Sequence, residues 1–308
     1  MERRYNSFGA YIKKRFGATV YKVNVDAGFT CPNRDGTVGT SGCIYCNNDS
    51  FRPNSCRPTL SVRAQIANGI AYIRKRYKAQ KYLVYFQPYT NTYAHVDELE
   101  RLYLQALSDP SVIGLAIGTR PDAVDSEKIA LLQSLAEKYF ILIEYGMQSM
   151  HDRTLEFIRR GHDYNSFLDA IALTKNRGIS VGAHIIVGFP TETRDEMFLM
   201  ADELSCLPIG FLKIHQLQVI KDTPLEIIYR KSPFPVFAYD EYLDFVTEFL
   251  ERLSPGIVLQ RLFATAPDAI LIAPRWGKSR QEMLRDIEKT MEDRNTFQGK
   301  KLKIPTRA

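Results

Sequence analysis

The amino-acid sequence predicts an α/β protein, an open, partial (β/α)6 TIM-like barrel with a small C-terminal α+β extension. Six short apolar runs recur along the chain, each followed by a segment with helical spacing, as parallel strands joined by crossover helices read. Six units fall short of the eight that close a complete barrel. After Lys231 the proline-punctuated stretch "SPFPVF" breaks the alternation, so residues 1–231 are expected to form the core and 232–308 an extension closing the barrel edge. A doubly wound sheet is the alternative arrangement of the same units.

The strands are read in "VYKVNV" (Val20–Val25), "YLVYF" (Tyr82–Phe86), "IGLAIG" (Ile113–Gly118), "FILIEYG" (Phe140–Gly146), "SVGAHIIVG" (Ser180–Gly188) and "GFLKIHQL" (Gly210–Leu217). Between them Val62, Ile66, Ile70, Ile73 and Tyr77 fall at helical spacing, as do Leu99, Leu102 and Leu107, then Ile129, Leu132 and Leu135. Asp163 stands as an N-cap before "YNSFLDAIALTKNRG", with Gly178 as its closing residue, and "TRDEMFLMADELSCL" forms the next helix with acidic residues in its first turns. Past the linker come a helix from Tyr239 to Leu253, two further strands in "GIVLQRLFATAP" and "AILIAP", a charged helix and a basic tail.

With 308 residues, 45% hydrophobic and 25% charged, the chain can bury one large core. There is no continuous apolar h-region at the N-terminus and no run of about 18 apolar residues, so neither export nor a membrane span is expected. Five cysteines without a signal sequence point to a reducing compartment, with the cytoplasm as the default. The net charge of +6 has two readings: attraction to a phosphate-rich partner such as tRNA, or solvated helix faces and a tail.

Cys31, Cys43 and Cys46 are spaced C-x11-C-x2-C directly after the first strand, which places their loop at the C-terminal mouth where barrel enzymes keep their chemistry. Three thiolates can hold three irons of a [4Fe-4S] cluster and leave the fourth open to a small molecule. The competing reading is a zinc site completed by Cys56. Cys206, in a helix, reads as a buried small hydrophobe, and the two remaining cysteines are too few for a second full cluster.

At this point the sequence resembles the radical S-adenosylmethionine (SAM) superfamily, and within it the YhcC-like group related to the radical domain of the Elongator catalytic subunit. The matching stretches are "DAGFTCPNRDGTVGTSGCIYC", "YFQPYTNTYA", "GTRPD", "EYGMQSMHDRTL", "RRGHD", "HIIVGFPTE" and "LKIHQLQVIKDTPL", in that order. The resemblance implies a partial barrel of the radical SAM type, a [4Fe-4S] cluster on Cys31, Cys43 and Cys46, and SAM chelated to the open iron. It implies reductive cleavage giving a 5'-deoxyadenosyl radical, with electrons from a partner such as flavodoxin or ferredoxin. The substrate it implies is tRNA, at the wobble-uridine side chain; a radical reaction on a small metabolite is the alternative, and a zinc-containing, non-catalytic RNA-binding protein the alternative of another class.

The same resemblance assigns the cofactor cradle. Gln87 and Thr90 in "QPYTNT" stand where many relatives have a Gly-Gly-Glu segment, and Thr119 follows the third strand with Arg120 and Asp122. Gln148 aligns with a glutamine beside SAM, and Glu144, four residues earlier, faces the barrel interior. Arg160, or in its place Arg159, pairs with the SAM carboxylate, His184 lies near the ribose, and Gly188 brings backbone close to adenine beside Val187 and Phe189. Lys213 and His215 alternate with Leu212 and Ile214 and so share one strand face. An inward lysine is costly unless paired, which favours a catalytic role for both on the substrate side. Arg261 is a candidate substrate anchor or a structural ion-pair partner.

Overall fold

In the computed structural model, which describes residues 3–47 and 59–303, seven parallel strands form one curled half-barrel sheet. After helix α1 (Phe8–Phe16) the chain runs β1 (Val20–Val25), α2 (Val62–Tyr77), β2 (Lys81–Phe86), α3 (Val96–Ala106), β3 (Val112–Thr119), α4 (Ser126–Ala136) and β4 (Phe140–Gln148). Then follow α5 (Asp152–Phe157), α6 (Tyr164–Thr174), β5 (Ser180–Val187), α7 (Arg194–Cys206) and β6 (Phe211–Gln216). The remainder comprises β7 (Val219–Ile220), α8 (Pro224–Lys231), α9 (Tyr239–Arg252), β8 (Val258–Arg261), β9 (Leu271–Ala273) and α10 (Arg280–Asp293). The large sheet has the order β1-β2-β3-β4-β5-β6-β8.

Each of the six expected strands is present, but the two expected after the linker part company. β8 pairs parallel with β6 as the seventh strand, whereas β9 pairs antiparallel with β7 in a separate ribbon. Asp163 caps α6 by accepting from the Ser166 N–H at 2.9 Å, but the helix ends at Thr174, and Gly178 lies in the turn beyond it with φ 70°. α7 has the acidic residues expected in its first turn, Asp195 and Glu196, and Glu196 also closes a capping box with Thr193.

Period-two alternation sorts the strands into two surfaces. Val23, Val84, Leu115, Ile141, Ile185 and Leu212 point outward into the core shared with the covering helices. On the inner surface, Leu83, Ala116, Phe140, Leu142, Phe211 and Val258 meet Ile12 of α1. Phe8 and Tyr11 stand edge-on to Phe211 at 6.0 and 5.2 Å, and Phe16 to Phe140 at 5.8 Å. Full burial of a Phe or Leu side chain contributes roughly 1.5–3 kcal/mol, so this layer, more than helix propensity, holds α1 as a plug in the end of the barrel opposite the mouth.

β1 and β8, the two sheet ends, are not paired with each other among the described residues. Lys22 Nζ of β1 donates to Gln260 Oε1 of β8 at 2.7 Å across the seam. Among the described residues no helix is long and apolar enough to cross a membrane.

Candidate active site

Backbone hydrogen bonds shape the loop after β1. The N–H groups of Arg34 and Asp35 donate to Cys31 O at 2.8 and 3.2 Å, and Cys46 N–H donates to Cys43 O at 3.0 Å. Two contacts pin this loop to the turn after α5: Ile44 N–H donates to Ile158 O at 3.0 Å, and Asn33 Nδ2 donates to Arg159 O at 2.6 Å. As a result Cys31, Cys43 and Cys46 line one cavity at the mouth, with about 920 Å3 of empty space, together with Gln87, Thr90, Thr119, Glu144, Gln148, Arg160 and His184. Sequence spacing alone did not show that these seven polar residues meet the cysteines.

The end of β4 is built around a break in register between Tyr145 and Gln148. Gln148 takes φ 67°, a left-handed conformation uncommon for a residue with a Cβ, and its buried Oε1 has no hydrogen-bond partner. Arg160 is buried beside it: Nη2 donates to Gly146 O at 2.9 Å, Nε to His162 Nε2 at 2.9 Å, and Nη1 to Cys43 Sγ at 3.6 Å. Gly146 makes this approach possible, since a Cβ there would lie 2.6 Å from Gln148 Nε2 and 2.7 Å from Arg160 Nη2. Arg159 is exposed, so Arg160 is the inward-facing member of the pair. Burial with the Arg160 cation alongside pushes His162 down to about 4, leaving it the neutral acceptor of the Arg160 N–H.

Below the cysteines lies a charged layer. Lys213 donates to the Glu144 carboxylate and, at 2.7 Å, to Tyr85 Oη; Lys22 approaches the other Glu144 oxygen at 3.7 Å. Burial opposes the Glu144 charge, but Lys213 and Lys22 outweigh it and hold the carboxyl below its ordinary range. Burial, with Lys22 and Arg261 adding to it against the pull of Glu144, pushes Lys213 down to about 7. The His184 and His215 rings meet edge to face at 4.1 Å. His184 has a buried Nε2 without a partner, while His215 Nε2 lies 2.9 Å from Arg261 Nη1. Burial first, and then cationic neighbours, push His184 down to about 3 and His215 well below its usual value, so both are neutral near pH 7.

Other expected residues are placed differently. Arg120 makes a two-pronged pair with Asp122 at 2.8 and 2.6 Å and donates to Arg160 O at 2.8 Å, a brace between two loops. The Thr119 hydroxyl is 2.6 Å from that of Thr92. Gly188 is not brought to the cysteine cavity: its N–H donates to Met197 Sδ at 3.0 Å, and a Cβ would lie 2.9 Å from the Phe237 ring. Lys213 and His215 line an adjoining cavity that shares Tyr85, Gln87 and His184 with the first. Cys206 is exposed, with its Sγ 3.3 Å from Asp202 O, because α7 turns that position outward; it is not the buried hydrophobe expected. Cys56 lies outside the described residues. Lys22 and Tyr85 were missed as site residues, although alternation with Val23 and Val84 already directs them inward.

Among the described residues no three His, Cys, Asp or Glu side chains converge as ligands of one metal ion do. Thiolates that each carry a different iron of a cluster do not share one ion, so a trio spread around one cavity fits that group better than a mononuclear centre. The partnerless Gln148 oxygen, the buried Arg160 and the space that Gly146 leaves open provide polar contacts for a charged small molecule beside the thiols.

A model of the radical SAM superfamily matches residues 31–204, and one of the Radical_SAM C-terminal domain matches residues 209–293. Protein YhcC of Escherichia coli (strain K12) is 31% identical over 306 residues, covering 99% of this chain and 97% of that protein. A tRNA uridine(34) acetyltransferase of Methanocaldococcus jannaschii is 23% identical over 163 residues, 52% of this chain but 30% of its own length. Among solved structures, the archaeal Methanocaldococcus infernus Elp3 with an N-terminal deletion superposes with a TM-score of 0.70 at 18% identity, covering 91% of this chain and 64% of that one, a likeness of fold.

Proposed function

The chain belongs to the radical SAM superfamily, and on that premise we propose that Cys31, Cys43 and Cys46 hold a [4Fe-4S] cluster at which SAM is bound and cleaved, and that the substrate is the wobble-uridine side chain of tRNA. With one electron from a reducing partner such as flavodoxin or ferredoxin, the cluster and SAM, when bound, would supply a 5'-deoxyadenosyl radical for hydrogen abstraction from the substrate, the broken C–S bond leaving methionine. The observation that carries the reading is that one cavity is lined by all three thiols and by Gln148 and Arg160.

In this assignment Arg160, its guanidinium already fixed by Gly146 O and His162, pairs with the SAM carboxylate. Gln87 and Thr90, on the turn after β2, face the amino end. The unpaired Gln148 Oε1 and neutral His184 Nε2 take up hydroxyl donors of the ribose. Thr119, shared with Thr92, fixes the wall between them. Glu144 sets the cavity floor by holding Lys213, and Lys213 and His215 face the substrate. Pre-set donors and acceptors of this kind orient reactants without reorganising when charge moves.

The substrate assignment is supported by the tRNA-acting relative matched over half the chain and by the net charge of +6. Anaerobic reconstitution followed by dithionite and SAM tests the chemistry: 5'-deoxyadenosine and about four irons per chain are expected, and zinc without SAM cleavage would refute it. Nucleoside mass spectrometry of tRNA from a deletion strain tests the substrate. A changed uridine-34 profile is expected, and an unchanged one would turn the assignment to a small metabolite.

A further inference from the structure

The cavity that adjoins the cysteine site sits inside the sheet at the β1–β8 seam, with about 1520 Å3 of empty space. Its wall carries Lys22, Lys213, Arg261 and Arg280, from β1, β6, β8 and the first residue of α10, and among the described residues no Asp or Glu. The nearest carboxylate, Glu144, is engaged by Lys213 and Lys22. That carboxylate answers two of the four cations and, among the described residues, leaves Arg261 and Arg280 without one. The adjoining acid at the start of α10, Glu282, is turned back to accept from the Ser279 N–H at 2.8 Å. The two guanidinium groups stand at the solvent-facing rim of the recess, and such forks are suited to two oxygens of one anionic group. The neutral imidazoles of His184 and His215 add no charge but form the wall toward the cysteine cavity.

We propose that this recess is an oxyanion-binding subsite, in which Lys22, Arg261 and Arg280 hold a carboxylate or phosphate of the substrate while its reacting end passes Tyr85 and His184 into the cysteine cavity. The assignment of the second cavity to substrate rests on the reading of the first as the SAM site. Lys213 is a positioning residue, held on Glu144; Lys22 shares that carboxylate at 3.7 Å, so the two guanidinium groups of Arg261 and Arg280 are the principal anchors for the ligand. Entry lies at the seam, where Lys22 and Gln260 provide a side-chain link in place of a strand ladder.

The test is calorimetric titration of the full chain, with and without reconstituted iron, using malonate, inorganic phosphate and the neutral malonamide at low ionic strength. One-to-one binding of malonate or phosphate but not malonamide is expected, and the tighter of the two identifies the oxyanion. Arg280→Met and Arg261→Lys, both at exposed positions, should each weaken that binding roughly tenfold, the size of one lost charge-assisted hydrogen bond. Equal binding of malonamide, or unchanged affinity in both variants, overturns the subsite. Because the titration needs no radical chemistry, Cys43→Ala should keep the anion and lose the iron. Failure of 5'-deoxyadenosine formation with intact anion binding would retire the SAM reading, whereas the reverse result would retire the subsite alone.

Discussion

The ammonium of Lys213 on β6 sits on the carboxylate of Glu144 on β4, reaching across the inner face of β5, which separates the two strands. Both side chains are about 5% exposed or less. Removing one partner from such a pair strands the other charge, at a cost of about 3–5 kcal/mol, whereas replacing both by apolar groups of similar volume costs far less. Glu144→Gln, which strands Lys213 and Lys22 together, should destabilise by that order in urea unfolding, Lys213→Met by less because Lys22 still faces the carboxylate, and the triple variant Lys22→Met/Glu144→Leu/Lys213→Met should recover most of the Glu144→Gln loss. Additive losses in the triple variant would show that the three groups are not coupled.

The depressed Lys213 also fixes a sign for the pH dependence. In the folded chain it titrates at about 7, and in the unfolded chain at roughly 10.4. Between these values the unfolded state binds the extra proton, so this group makes stability rise with pH from about 7 upward and levels off above the unfolded value. Melting temperatures of the wild type and Lys213→Met, compared over that window, should diverge in slope, with the wild type gaining more. Parallel curves would mean that the burial penalty on Lys213 is not expressed.

Cys31→Ala, Cys43→Ala and Cys46→Ala should each abolish stable iron loading after anaerobic reconstitution, and Cys206→Ala, at an exposed thiol, should not. Cys56→Ala should also retain iron. Iron and sulfide analysis with visible absorbance checks the set, and loss of iron in Cys56→Ala with retention in Cys43→Ala would reverse the ligand assignment.

Gly146→Ala places a methyl group 2.6 Å from Gln148 Nε2 and 2.7 Å from Arg160 Nη2, ends of side chains that can move where backbone cannot. The fold should survive, while SAM binding falls roughly 10- to 100-fold as one or two charge-assisted contacts are displaced. Arg160→Lys should fall in the same range, since an ammonium does not reproduce a fork that reaches Gly146 O, His162 and Cys43 together. Equilibrium binding of SAM, with circular dichroism as the folding control, separates these outcomes.

Much of the architecture was legible because strand alternation is a local property. "VYKVNV" coincides with β1, and the other five runs match β2 to β6 within two residues at either end. The cysteine loop was placed at the mouth by its position after β1. What the sequence hid depends on partners remote along the chain. The break at Gln148 and its φ of 67° lie at a crowded corner where Gln148 Nε2, Arg160 Nη2 and Thr119 O all approach Gly146, neighbours that local propensity does not reveal. α1 as a plug depends on Phe140 and Phe211, more than a hundred residues away. The pairing of β9 outside the large sheet was hidden because its partner, the two-residue β7, is too short to show a pattern. At Gly188, with φ 92°, the Phe237 ring of the C-terminal part lies 2.9 Å from where a Cβ would stand, a neighbour that the sequence around the glycine did not show.

A ring of strands closed by ladder hydrogen bonds has its girth set by strand number and stagger. Here no ladder joins β1 to β8 among the described residues: Lys22 to Gln260 is a side-chain link, and β8 is bonded instead by the segment before α1, Leu259 N–H donating to Asn6 O at 2.7 Å. The first residues of the chain thus hem the free edge of β8, the edge that the strands carrying Glu144 and Lys213 do not reach.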